Sequence, residues 1–450
     1  MSIESVKKYI DKKEYKKALK LALELYNKSN KELLLYIYIS YLYHKLGNDK
    51  KMFDYLYLGL RKYPNDITIY HNLGFFYSLR GNYDKTVYYY EKAIEYGTKN
   101  IDVYMHLVSI YQKQFQYEKA KYYLFMAKRI FKDDDYINFA ISLHYILLDE
   151  YIKGFDLYRS RYSKKNSKRV TTFKYLKTPK SKYVDFKNKD ILIEFEQGIG
   201  DVVSFIRLLP LLKSKGVKSI FFRDTRKVLR RLLEYNYNTI AKYLGEDEKV
   251  DVNYSIPLID LMYYLNISSR NIPYQGGYIN VDRDDSLNFY KEFFIKNNKS
   301  NIGIVFRGNP KHKNDHNRSI ECKEFLNGIK ALFELYNIYS LQYEPTKKEK
   351  NLFREFGVYD ITHNLKDFYD TALMIDNLDL VISVDTSVFN LAGAMGKRCF
   401  VLLSYYGEVR WGVGYKQSRW YDSVTQYRQK YPKQWDSVFE EIVIDTKKIL

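Results

Sequence analysis

Tyr15, Asp49, Tyr83, Tyr117 and Tyr151 stand 34 residues apart, and three positions after each comes Ala18, Met52, Thr86, Ala120 or Gly154. A fixed period of this size constrains the fold more than any single motif, because each period must be one supersecondary unit that stacks on its neighbours. The second series is mostly small, as close helix–helix contact requires. Around it apolar residues recur at helical spacing with a short polar turn between, so each period predicts a pair of amphipathic helices. One pair cannot bury its apolar face alone. Stacked pairs can, and they build a curved solenoid with a concave surface. About four to five such units fit between residues 1 and 162. The aromatic stripes there are core positions on this reading, not a cofactor site.

The fullest copy is "NLGFFYSLRGNYDKTVYYYEKAIEYG" (72–97), and its Leu73-Gly74-Tyr77 cluster, Gly81-Asn82 turn and Ala93 resemble the tetratricopeptide repeat. The next copy, "VYMHLVSIYQKQFQYEKAKYYLFMAKRI" (103–130), keeps the pattern without the turn glycine. In "YIKGFDLYRSRY" (151–162), Gly154, Phe155, Leu157, Tyr158 and Arg161 resemble the closing repeat of bacterial proteins that fuse such repeats to a glycosyltransferase. The basic stretch "RYSKKNSKRV" (161–170) reads as a solvated linker and the natural boundary. Arrays of this type hold a peptide or a partner protein, which points to an acceptor without identifying it.

At 450 residues the chain has room for two or three domains, and 46% hydrophobic with 28% charged residues is a globular composition. The net charge of +20 favours acidic partners, nucleotides or anionic lipid faces. Roughly +12 of it falls in the first ~170 residues. No nucleic-acid motif accompanies the charge, so a Lys-rich solvated surface is expected and nucleic acid is not an expected partner. Cys322 and Cys399 are the only cysteines and have no His at metal-ligand spacing, which fits a reducing compartment and predicts neither disulfide nor zinc. The charged start "MSIESVKKYIDKKEYKK" is not expected to be a signal peptide. No apolar run approaches the ~18 residues of a membrane helix. A cytoplasmic protein is expected, with membrane-surface association left open.

From Asp190 the texture changes to alternating strands and helices, which argues for parallel α/β units. "DILIEF" and "VKSIFFR" read as strands, with "VVSFIRLLPLLKSKG" and "RKVLRRLLEY" as helices. A second series begins at "NIGIVFRGN" (301–309) and continues through strands "IYSLQYE", "LDLVISV" and "RCFVLLS", with helices between. The expected division is a repeat solenoid over 1–165, a first α/β lobe over 166–284 and a second over 285–450.

Ligands of open parallel sheets bind at the carboxyl ends of strands, and four stretches fall there. In "EQGIGDVV", Gly198 and Gly200 permit positive φ and close backbone approach, and Asp201 begins a helix. Spacing alone favours a helix cap for Asp201 over a catalytic base. "VFRGNPKHKNDHNRSI" (305–320) carries Arg307, Asn309, Lys311, His312, Lys313, His316, Asn317 and Arg318, donors suited to phosphate or sugar oxygens. In "LVISVDTSVFNLAGAMGK" (380–397), Asp385 caps a helix or orients a sugar hydroxyl, and Thr386 and Ser387 make a pyrophosphate seat. In "LLSYYGEVRWG" (402–412), Tyr405, Tyr406 and Trp411 fit a base or sugar and Arg410 a phosphate, or all four simply pack.

Taken together, "EQGIGDVVSFIRLLPLL", "GNPKHKNDHNRSI" and "DTALMIDNLDLVISVDTSVFNLAGAMGK" resemble, in order and spacing, the bacterial tetratricopeptide-repeat glycosyltransferases. More distantly they resemble the lipopolysaccharide heptosyltransferases. The ending "SRWYDSVTQYRQ" (418–429) is similar to the repeat-fused group. The resemblance implies a GT-B fold of two Rossmann-like lobes, with the donor held mainly by the second lobe and the acceptor by the first. It also implies inverting transfer from a nucleotide-sugar to a hydroxyl of a protein or surface glycan, with no metal and no cofactor. On these motifs the general base falls on Asp201. The donor-binding positions fall on Gly198, Gly200, Arg307, Asn309, Arg318, Asp385, Thr386, Ser387 and Asn390. One departure stands out: the family carries His where this chain has Asn390, which can donate a hydrogen bond but carries no charge. The alternative is therefore a repeat-containing binding or scaffold protein that keeps a nucleotide-sugar-like pocket with weak or no catalysis.

Overall fold

The computed structural model describes residues 2–28, 32–162, 177–223, 226–245, 248–282, 290–312 and 314–450. The chain divides into two compact units, Met1–Ile141 and Ser142–Leu450. The sequence-derived boundaries at 165/166 and 284/285, and Lys313, lie outside the described residues.

The opening part of the chain is helical: α1 (Ile3–Asp11), α2 (Tyr15–Lys28), α3 (Leu33–Lys45), α4 (Asp49–Lys62), α5 (Ile67–Ser78), α6 (Tyr83–Glu95), α7 (Ile101–Lys113), α8 (Tyr117–Ile130), α9 (Asp135–Leu147) and α10 (Tyr151–Tyr158). The 34-residue series now has a structural meaning, because Tyr15, Asp49, Tyr83, Tyr117 and Tyr151 are the first residues of α2, α4, α6, α8 and α10. The small series one turn later is buried in every copy. A further series with the same period was not legible. Lys13, Gly47, Gly81, Phe115 and Asp149 all have positive φ, between 57° and 77°. Each turn needs one left-handed residue, and glycine supplies it in two copies. The other copies force it on an L-residue at about 1 kcal/mol. Asn48 and Asn82 then cap the next helices by accepting from Lys51 N–H and Lys85 N–H.

Gly74 of the Leu73-Gly74 pair is needed for space: a Cβ there would come within 2.5 Å of the Tyr90 ring. The core of the first unit runs through Leu35, Ile39, Leu56, Ile69 and Leu73. The division between units falls inside α9, so the second helix of the fifth copy, α10, belongs to the second unit.

The second unit holds two sheets. The first contains β1 (Asp190–Glu194), β2 (Ser219–Arg223), β3 (Lys242–Tyr243) and β4 (Tyr254–Pro257), in the order β3-β2-β1-β4. The second contains β5 (Asn301–Val305), β6 (Asn337–Ser340), β7 (Tyr359–Asp360), β8 (Leu380–Val384), β9 (Cys399–Leu403) and β10 (Val424–Arg428), in the order β10-β9-β8-β5-β6-β7. Every strand pair in both sheets is parallel. In each sheet the winding reverses once, between β1 and β4 and between β5 and β8, which leaves a crevice at the carboxyl ends of those strands.

Among the helices that follow interior strands, α11 (Ile199–Phe205) comes after β1, α12 (Lys347–Phe356) after β6 and α13 (Ser387–Ala394) after β8. The single helix expected over 202–216 is in fact α11, a 3-10 turn Ile206–Leu208 and a separate helix Leu209–Ser214. Pro210 is the reason, since it has no N–H to continue the ladder and stands at the start of the last piece.

Candidate functional site

The winding reversal of the second sheet brings together two of the stretches singled out in the sequence. The loop after β5 carries residues 306–320, and the loop after β8 carries Asp385 and Thr386 before α13. The loop after β1 leads into α11 with Asp201, and α11 packs against α13.

That helix pair explains the glycines. The sequence reading gave them two uses, positive φ and close backbone approach, and the first is not used: Gly198 has φ −62° and ψ 168° as the N-cap of α11, and neither glycine is in the left-handed region. Gly200 sits where the two helices come close. A Cβ there would lie 3.0 Å from Asn390 Nδ2 and 3.5 Å from Ser387 Cα, so the Asn390 side chain would have to give way by a few tenths of an ångström.

Asp201 is the third residue of α11 and not its N-cap. Its Oδ2 accepts the Gly198 N–H at 2.9 Å, and its Oδ1 pairs with Arg410 Nη2 at 2.6 Å. Its side chain keeps 24% of its surface exposed. Arg410 in turn donates through Nε to Glu408 at 2.7 Å and lies against the rings of Phe205 and Trp411. Its Nη1 is buried with no acceptor among the described residues. The neighbouring Trp411 donates its indole N–H to Asp385 Oδ2 at 3.1 Å. Burial raises the Asp385 carboxyl above the usual aspartate value, opposed by the nearby Arg318 and Arg410 charges.

Arg318 donates to the Asp385 carbonyl at 2.9 Å and to Asp315 at 3.2 Å, which ties the β5 loop to the end of β8. Thr386 is the N-cap of α13 in extended conformation, and its side chain makes no capping bond. Its hydroxyl lies 3.2 Å from Ser383 Oγ. Ser387 follows as the first residue of the helix. Gly198, Gly200, Asp201, Arg318, Asp385, Thr386 and Ser387 are thus linked through direct contacts into one cluster.

Three sequence-derived residues take other positions. Asn390 is 3% exposed; its amide donates to the Thr386 carbonyl and its oxygen accepts from Ser204 and Tyr421. It is a strut between α11 and α13, with its oxygen already twice engaged. Arg307 forks onto Glu349 at 2.7 and 3.0 Å, and Glu349 also accepts the Thr346 N–H in the capping box of α12. Asn309 closes a local turn by accepting the Lys311 N–H.

The Arg307–Glu349 pair has a pH signature. Burial would raise the Glu349 carboxyl, but Arg307 and the Thr346 N–H outweigh it and hold the group below its usual 4.5. A depressed folded value gives stability that is present above the unfolded value and is lost as pH falls through the folded one. Urea midpoints of the wild type are therefore expected to drop below pH about 4.5, and Glu349→Gln to be weaker at neutral pH with a shallower acid slope. Equal slopes in the two proteins would show that the pair contributes no linkage.

The crevice of the first sheet is filled by the chain itself. Glu196 follows β1 and Asp260 follows β4, and Arg161 lies between them, donating through Nε to Glu196 at 3.2 Å and through Nη2 to Asp260 at 2.6 Å. Tyr162 donates to both carboxylates. Burial raises Glu196, and Arg161 opposes it. Arg161, read in the sequence as part of a closing repeat and as the first residue of a solvated linker, is instead a buried counter-ion. Among the described residues no group of three or more His, Cys, Asp or Glu is placed to hold a metal ion.

Sequence reasoning weighed Arg410 without settling on it and did not find Glu408, Glu349, Ser204 or Tyr421. Glu408 pairs with Arg410 two residues on, but Glu349, Ser204 and Tyr421 have partners up to 217 residues away, and no local spacing encodes those pairings.

No protein-family model matches the chain, and no curated protein matches it. Among solved structures it is similar to a glycosyl transferase family 9 protein from Veillonella parvula DSM 2008, at 13% identity and TM-score 0.42 over 60% of this chain and 92% of that one. It is also similar to MamA, at 15% identity and TM-score 0.33 over 37% of this chain and 97% of that one. A third is PilW, a type IV pilus biogenesis factor, at 20% identity and TM-score 0.31 over 35% of this chain and 75% of that one. These are low scores at low identity, so the functional reading rests on the geometry above.

Proposed function

We propose that the chain is a glycosyltransferase that moves a sugar from a nucleotide-sugar to a hydroxyl of a protein or surface glycan, with its two sheet-bearing parts forming a GT-B pair of lobes. The observation that carries this is the close approach of α11 to α13, which joins a partly exposed carboxylate, Asp201, to the strand-end group Arg318, Asp385, Thr386 and Ser387 at a winding reversal. In the proposed reaction Asp201 takes the acceptor's hydroxyl proton while that oxygen forms a bond to the anomeric carbon. The bond from that carbon to the diphosphate oxygen breaks, and the nucleoside diphosphate leaves with the electron pair towards Thr386, Ser387 and the neighbouring arginines. Attack opposite the leaving group inverts the anomeric carbon, and no metal or cofactor is required in this scheme. The repeat array is the proposed holder of the acceptor.

Trp411, Trp420 and Trp435 are the only tryptophans and all lie in the second unit, so their fluorescence follows that unit. A panel of nucleoside diphosphates and nucleotide-sugars is expected to contain ligands that raise its melting temperature by a few degrees, since a ligand of the native state stabilises it by mass action. A panel that shifts nothing at millimolar concentration would overturn the reading. Asn390, buried where the family carries His, favours a second reading in which the pocket binds without transfer. That reading predicts the same melting shift with no release of nucleoside diphosphate.

A further inference from the structure

Each oxygen of Asp201 already has a partner in the structure: the Gly198 N–H and the Arg410 guanidinium. Arg410, by contrast, is under-satisfied. Its side chain is only 12% exposed, and its Nη1 is buried without an acceptor among the described residues, an arrangement that folded proteins avoid unless the group has another use. Arg307 and Arg318 are differently engaged. The first forks onto Glu349, and the second holds Asp315 and the Asp385 carbonyl. Arg410 is also joined through Trp411 to Asp385, so its guanidinium lies between the carboxylate of α11 and the strand end before α13.

We infer that Arg410 is a lock on Asp201 that a diphosphate releases: the anion of a nucleoside diphosphate competes with Asp201 for the guanidinium, and binding it frees the carboxylate. The inference rests on the proposed function and adds an order of events to it, since the base becomes available only once the donor is bound. Asp201 meets the guanidinium through Nη2 alone, whereas phosphate oxygens suit the planar fork and would engage Nη1 and Nη2 together. Glu408 keeps hold of Nε in both arrangements, so the exchange needs only the terminal nitrogens to change partner.

The competition is tested by calorimetric titration of UDP, GDP, ADP, CDP and inorganic pyrophosphate into the full-length wild type, Asp201→Asn, Arg410→Gln and the double variant at low salt. Asp201→Asn removes the competitor and is expected to bind a nucleoside diphosphate roughly tenfold tighter than the wild type, and Arg410→Gln at least about tenfold weaker. In the Arg410→Gln background, Asp201→Asn is expected to bring no such gain. Pyrophosphate alone is expected to follow the same pattern more weakly, because it shares the anion and lacks the nucleoside.

Unchanged or weaker binding by Asp201→Asn would overturn the lock, as would unchanged binding by Arg410→Gln. An equal gain from Asp201→Asn in both backgrounds would also overturn it, since the effect would then be general charge and not competition for Arg410. Failure of every ligand to bind any variant would do the same. Arg410→Lys, which keeps the charge and loses the fork, replaces Arg410→Gln in the cycle if the latter does not fold. The outcome is separable from the assignment of the base. Tighter binding with normal turnover in Asp201→Asn would sink the base and keep the lock, and unchanged binding with lost turnover would do the reverse.

Discussion

Asp201→Asn is expected to lower the turnover number by about 10²–10⁴-fold, the usual contribution of a positioned general base. The variant is a narrow one. Asn has the same shape, and its oxygen can still accept the Gly198 N–H that Asp201 accepts at 2.9 Å. What it loses is the ability to take a proton and the charge that faces Arg410. Both side chains are mostly buried, so removing the charge that faces Arg410 is expected to cost more stability than the loss of an exposed ion pair would. Release of nucleoside diphosphate at saturating donor, with tryptophan fluorescence as the folding control, measures both quantities. A turnover number within about threefold of the wild type would remove Asp201 from the chemistry.

The second large effect lies behind the site. Arg207 is fully buried, and among the described residues no carboxylate pairs with it. It donates to the carbonyls of Ser204, Trp420 and Pro273 and to the Tyr278 hydroxyl, and its guanidinium lies on the rings of Tyr278 and Tyr421. These groups come from segments before β2, before β5 and before β10, so one side chain ties together parts of the unit that carry different sheets. Arg207→Ala would leave a cavity and strip several buried carbonyls of their donor. The expected loss is about 3–5 kcal/mol, combining the cavity with unsatisfied polar groups. Urea unfolding followed by tryptophan fluorescence reads it, and a loss below about 1 kcal/mol would mean that water or a shifted neighbour replaces the guanidinium.

The strands divide along the same line between local and distant information. "DILIEF", "VKSIFFR", "NIGIVFRGN", "IYSLQYE", "LDLVISV" and "RCFVLLS" became β1, β2, β5, β6, β8 and β9, which are the interior strands of the two sheets. A parallel strand covered on both faces needs a continuous apolar run, and such a run is readable. The strands not anticipated, β3, β4, β7 and β10, are the four sheet edges. Two of them are only two residues long, and an edge strand makes weaker demands on its own sequence.

The sequence by itself determined the periodic helices, the interior strands and the order of the strand-end loops, because each depends on residues within a few positions of one another. A helix face repeats every few residues, and a buried strand is a single apolar run. Only the tertiary structure decided that Gly200 serves a close approach to Asn390 and Ser387, that Asn390 is a strut, that Arg307 belongs to Glu349, and that Arg410 holds Asp201. Each of these is a pairing between segments far apart in the chain. A side chain's charge and shape say which kinds of partner would satisfy it, and only the packed fold says which one is within reach.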